Sequence, residues 1–194
     1  MAAGTESGAA ATGRWLSRHQ PRRVALLGAE STGKSSLAEA LAARLGAVVV
    51  AEYLREFCDT AGRVPRVEEQ AAIVAEQERR ERFAVDAAAE RGIGWVVCDT
   101  TSLMVALYSV DCFDDHSLLP GAIERQRGYA ATLVCLPDID WVEDGIMRMD
   151  PPTRDRIHRR LVDILEANRI PWRPVAGSGD ARVQAALDAL ADIA

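Results

Sequence analysis

GAESTGKSS, residues 28–36, holds the only lysine of a 194-residue chain whose other basic residues, out of 23, are all arginine. The spacing accounts for the exception. Gly28, Gly33, Lys34 and Ser35 satisfy G-x-x-x-x-G-K-[ST], a loop whose main-chain N–H groups converge on phosphate oxygens at the start of a helix. A compact ammonium on a flexible stem fits beneath the β- and γ-phosphates, whereas the planar guanidinium fork is wider and wants a flat bidentate partner. Gly28, Glu30, Ser31, Thr32, Gly33, Lys34, Ser35 and Ser36 are therefore the candidate nucleotide-binding residues, with Lys34 also catalytic and the Ser35 hydroxyl a candidate magnesium ligand.

Such a loop needs a buried strand before it and a helix after it. Residues 22–27, RRVALL, run apolar into Gly28, and Leu37, Leu41 and Leu45 recur four apart among alanines. Further out, apolar runs at 47–51, 94–99, 132–136 and 171–175 predict strands. Between them the periodicity predicts helices over 66–91, 103–110, 117–129 and 153–168, and a last helix that Asp180 can cap. The charge run in 66–91 reads as a solvated helix face. Strands without a polar face belong to parallel sheets covered on both sides. The expected fold is thus a P-loop NTPase three-layer α/β/α sandwich with a mainly parallel sheet of about five strands.

One domain spans residues 21–194, and residues 1–20, small and polar, read as a disordered tail without the apolar core of a signal peptide. A net charge of -6 with no basic tract speaks against a general nucleic-acid binder, and no apolar stretch is long enough to span a membrane. Cys58, Cys98, Cys112 and Cys135 have no CxxC or zinc-like spacing and read as reduced thiols of a cytoplasmic protein.

Ligands of open parallel sheets gather at the carboxyl ends of the strands. Asp99 closes one strand, where an acid can hold a magnesium-bound water or take a proton; alternatively it caps the helix opened by Thr100 and Thr101. Glu52 closes another, either as general base toward an acceptor hydroxyl or as a helix-start acid paired with Arg55 or Arg63. Residues 137–148 are acidic and aromatic and lead into an arginine-rich stretch, so a lid is expected at about 141–157, with Arg148, Arg154 and Arg156 closing over the phosphoryl group; a plain surface loop is the alternative. Gly179 and Asp180, after the last strand, either border an adenine or form a turn and cap.

With the phosphate loop, the AEYLRE stretch at 51–56, CDTTSLMVALYS at 98–109, LPDIDWVEDGIMR at 136–148 and IPWRPVAGSGDARV at 170–183, the chain resembles the ribosylnicotinamide kinase domain of bacterial NAD-salvage and regulator proteins, also classed among AAA-type ATPase domains. The resemblance runs in order from about residue 22 to the end. It implies ATP and Mg²⁺ as cofactors and transfer of the γ-phosphate to the 5′-hydroxyl of nicotinamide riboside, giving nicotinamide mononucleotide. On the acceptor side it implies Glu52, Tyr53, Arg55, Asp138, Trp141 and Asp144, an aromatic ring stacking on the cationic base while acids offset its charge or bind ribose hydroxyls. The chain departs from the family at Thr101, Met104 and Val105, where an acid and a Thr-Thr pair are usual, and at Cys112-Phe113-Asp114, where an aromatic-Phe-Gly ending is usual. Two further readings stay open: a nucleotide-dependent regulatory ATPase module, and a kinase of another nucleoside. The expected partner is a small molecule, and a homo-oligomer is left open.

Overall fold

Arg22–Leu27 forms β1, the middle strand of the sheet, and its alternating side chains divide the core in two. The computed structural model describes residues 20–140 and 150–193; the expected tail up to residue 19, and Trp141, Asp144 and Arg148 of the expected lid, lie outside the described residues. Val24 and Leu26 face α1 (Lys34–Leu45), where they meet the buried Leu37 and Leu41. Ala25 and Leu27 face the opposite layer. The α1 helix ends where Gly46 turns left-handed at φ 61 and its N–H returns to Ala42 O, a conformation a side chain would strain.

The chain continues through β2 (Val48–Val50), α2 (Tyr53–Ala61), a 3₁₀ turn at Val67–Glu69, α3 (Gln70–Glu90) and β3 (Trp95–Asp99). Then come α4 (Ser102–Phe113), α5 (Leu119–Gln126), β4 (Ala131–Cys135), α6 (Pro151–Ala167), β5 (Arg173–Val175) and α7 (Gly179–Leu190). All strand pairs are parallel, in the order β2-β3-β1-β4-β5. One layer joins α1 and α7 through Leu41, Val183, Ala186 and Leu190. The other packs Leu103 and Leu107 of α4 and Ile157 and Leu161 of α6 against Ala25, Leu27 and Val134, while Ala84 and Ala88 of α3 cover Val96 and Cys98. This is the three-layer P-loop architecture.

Strand order places the site. The chain lays β2 and β3 on one side of β1 and β4 and β5 on the other, so the carboxyl ends of β1, β3 and β4 open on one crevice at this switch in strand order. Leu26 lies level with Asp99 and Leu27 with Val134, so the loop after β1 is flanked by the ends of both neighbours.

Two expectations change in detail. Ser178, not Asp180, occupies the N-cap of α7, because Gly179 already belongs to the helix and Asp180 sits in its first turn. The charged stretch in α3 is not wholly solvated: Gln77 and Glu81 are buried, and Glu81 accepts hydrogen bonds from the Tyr129 hydroxyl and from Arg23 Nη1 at 3.2 Å.

Candidate active site

The loop after β1 is wound tightly. Gly28 has φ +148, and a Cβ there would meet Cys135 O and Thr32 Oγ1 at 2.9 Å each. Glycine is required on both counts, of backbone and of space. Thr32 Oγ1 donates to Ala29 O at 2.7 Å, and Lys34 Nζ donates to the same carbonyl at 2.9 Å. Ser31 is held at φ 51, a left-handed conformation that a non-glycine residue adopts only under constraint. Gly33 caps α1 with no side-chain hydrogen bond, so the first-turn amides keep the donor character and positive dipole end that bind anions. Ser35 and Ser36 lie exposed on this turn. Gly28→Ala should cost about 1–3 kcal/mol in backbone strain alone; a thermal melt unchanged from the parent would contradict the close approach to Cys135.

Asp99, at the tip of β3, is buried, and its Oδ1 has no hydrogen-bond partner. The helix-cap alternative does not hold for it, because Thr101 is the N-cap of α4 and its Oγ1 accepts Leu103 N–H at 3.3 Å. An orphaned, buried carboxylate oxygen beside a phosphate loop suits a cation with bound water. Among the described residues no three His, Cys, Asp or Glu converge as a metal cage. Magnesium fits this setting all the same, since it is usually held by one or two carboxylates together with substrate phosphates.

Glu52 follows β2 and precedes α2, in the N-cap position but without capping the helix through its side chain. Burial pushes its carboxyl above the ordinary carboxylate value; Lys34 opposes the rise, Asp99 adds to it, and Arg55 pulls it back. Lys34 at the start of α1, Asp99 at the end of β3 and Glu52 after β2 thus all lie at the carboxyl edge of the sheet. Arg55 Nε stands 3.8 Å from Glu52 Oε2. Arg63, the other partner considered for Glu52, instead forks onto Glu69 at 2.7 and 2.8 Å.

The acceptor-side expectations divide. Tyr53 follows Glu52 directly and its N–H is held by Gln77 Oε1 at 2.9 Å, but its ring already carries the Arg80 guanidinium 4.5 Å from the centroid. The guanidinium covers one face of the ring, so a cationic base stacking on Tyr53 would use the other face. Tyr108 of α4 is buried, and burial, followed by the Glu30 and Glu52 carboxylates, pushes its phenol well above the usual value. The divergent Met104 and Val105 are core residues, and Thr101 donates to Gln126 Oε1 at 2.8 Å.

Asp138, also of the expected acceptor set, has both carboxylate oxygens engaged. Its Oδ1 accepts Arg182 Nη2 at 2.5 Å and its Oδ2 accepts Gly177 N–H at 2.6 Å, so its charge is engaged between the ends of β4 and β5. Arg182 was not singled out in the sequence, although an arginine on the apolar face that carries Val183, Ala186 and Leu190 was a signal in plain view. Arg154 of α6 is mostly buried and donates to Ile139 O at 3.0 Å. Arg156 turns away to Asp111, which also holds Arg160, and so fastens α6 to α4 instead of reaching the phosphate loop.

Between α1 and α7 lies a cavity of about 350 Å³, walled by Leu37, Ala40, Ile139 and Val183 and rimmed by Ser36, Gly179, Asp180 and Arg182. It adjoins Gly33, so a ligand could place a flat apolar part here and an anionic tail in the loop.

The sequence profile of a family described as an AAA domain matches residues 23–182. The chain belongs to this AAA domain family. Among solved structures, NadR protein in complex with NR is 23% identical, with a TM-score of 0.75 over 91% of this chain and 52% of that one. NadR in complex with NAD and AMP-PNP is 22% identical, with a TM-score of 0.73 over 91% and 50%. The thymidylate kinase of Ehrlichia chaffeensis is 14% identical, with a TM-score of 0.62 over 90% and 99%. This AAA domain therefore has the P-loop kinase fold and spans about half the length of the NadR chains. Comparison with functionally curated proteins finds no match. No helix among the described residues is long and apolar enough to cross a membrane.

Proposed function

We propose that this AAA domain is an ATP-dependent small-molecule kinase that phosphorylates the 5′-hydroxyl of nicotinamide riboside to give nicotinamide mononucleotide. The observation that carries the reading is that three buried groups gather at the carboxyl edge of one parallel sheet: Lys34 where the phosphate loop enters α1, Asp99 at the end of β3 and Glu52 between β2 and α2. A cation, an acid with a vacant lone pair and a buried carboxylate of raised basicity are what phosphoryl transfer to an alcohol requires. The resemblance of five separate stretches to ribosylnicotinamide kinase domains, and the likeness in fold to NadR bound to NR, support this acceptor.

In this reading the base of ATP fills the cavity between α1 and α7, beside Gly179 and Asp180, and its phosphates lie along the Gly28–Ser36 loop. Lys34 shifts its hydrogen bonds from Ala29 O to the β- and γ-phosphates, where its charge offsets the negative charge spreading over the transferring group. Ser35 and Asp99 would hold magnesium, Asp99 through water, and the ion would neutralise phosphate charge. Glu52 accepts the proton of the attacking hydroxyl, its basicity raised by burial. Arg154 stands at the start of α6 and donates to Ile139 O, and Ile139 lines the cavity beside Gly33; in this reading the arginine reaches the transferring phosphate as part of the proposed lid at about 141–157. Glu30 and Glu52 give the acceptor side a negative field suited to a cationic base, and Arg55, Trp141, Asp144 and Arg148 complete the proposed set.

The test is ADP release from Mg-ATP with a panel of nucleosides. Release with nicotinamide riboside alone supports the proposal. Release without any acceptor would indicate a regulatory ATPase, and release with another nucleoside would reassign the substrate.

A further inference from the structure

One buried guanidinium ties the phosphate loop to the ends of β4 and β5. Arg182, only 4% exposed, donates from Nη1 to Thr32 O at 2.7 Å. Its Nη2 donates to Leu136 O at 2.8 Å and Asp138 Oδ1 at 2.5 Å, with Val175 O at 3.3 Å. Asp138 passes the link on to Gly177 N–H. The phosphate loop, the β4 end and the β5 end are thus joined through one side chain of α7, and that side chain also lines the 350 Å³ cavity.

We infer that Arg182 is a positioning residue that couples the base pocket to the phosphate loop and holds the loop ready for its anion. The inference rests on the nucleotide-binding half of the proposed function and not on the identity of the acceptor. A buried cation is costly to desolvate, and an apolar residue would pack among Val183, Ala186 and Leu190 without that cost. Its use lies in geometry. In a trans peptide the carbonyl and the following N–H point in opposite directions, so fixing Thr32 O toward Arg182 directs Gly33 N–H to the other side, into the concave face of the loop. A Cβ on Gly33 would lie 3.4 Å from Arg182 Nη1, so the guanidinium stands directly against the loop.

Inorganic tripolyphosphate separates this role from simple shaping of the base pocket, because it occupies the phosphate loop and never touches the pocket. With magnesium present, calorimetry on Arg182→Gln should find both ATP and tripolyphosphate bound about 10- to 100-fold more weakly than by the parent, the effect expected of a lost charge-assisted hydrogen bond. Arg182→Lys, which keeps the charge but cannot span the four acceptors, should recover only part of that loss. Circular dichroism and a thermal melt verify folding. Should Arg182→Gln not fold, Asp138→Asn slackens the same clasp from its far end, and a several-fold loss of tripolyphosphate binding is expected. A folded variant that loses ATP yet binds tripolyphosphate like the parent would reduce Arg182 to a wall of the base pocket and overturn the coupling. A parent protein that binds neither ligand is a separate result and would remove the kinase reading itself.

Discussion

Lys34→Arg is expected to leave the chain folded and to lower ADP release by at least about 10²–10³-fold, the range found when one preorganised transition-state donor is removed. The position is demanding in shape as well as charge. Lys34 is buried, its Nζ bonds Ala29 O at 2.9 Å, and the same carbonyl accepts Thr32 Oγ1. The ammonium therefore lies across a loop only a few residues wide. A guanidinium retains the positive charge but spreads it over a plane and directs its donors in a fixed fork, so it cannot replace a point charge shared between two phosphates. Steady-state rates at saturating ATP and acceptor, read beside a thermal melt, separate lost chemistry from lost structure. A folded variant turning over near the parent rate would take Lys34 out of the phosphate site.

Much of this site is legible in the sequence, because its pieces are local. The loop and its helix occupy one short stretch, and the strand-end rule places Asp99 and Glu52 at the crevice without any contact being known. Environment is a different matter. The Arg182–Thr32 bond joins residues 150 positions apart, and the Arg182–Asp138 pair 44 apart, so neither leaves a local pattern. Asp138 in isolation looks like one more acid of an acidic segment. Glu81 carries the same lesson: in a run of charges it reads as solvated, yet the fold covers it with Tyr129 and Arg23, which are 48 and 58 positions away. Tyr53 shows a further limit, since nothing in AEYLRE announces that Arg80, from the next helix, will cover one face of its ring.

Glu52→Gln should slow turnover by about 10²–10⁴-fold, the usual contribution of a positioned general base, while making the protein more stable at neutral pH. The two effects share one cause. Burial raises the Glu52 carboxyl above its ordinary value of 4.5, with Asp99 adding to the rise against the pull of Lys34. Between 4.5 and the native value, the folded chain binds a proton that the unfolded chain has released, so stability falls as pH rises through that window. Below 4.5 both states are protonated and the cost vanishes; above the native value the parent carries all of it. Glutamine keeps the size and never ionises, so denaturant midpoints of parent and variant should converge in acid and separate, with the variant higher, toward neutral pH. Catalysis has the opposite sign, because a base must be ionised: the parent rate should rise with pH along a limb above the usual carboxylate range, and the variant should lack that limb. If Glu52→Gln retains the rate and melts lower at neutral pH, Glu52 is instead the structural counter-ion of Lys34, and the proton must be taken by Asp99.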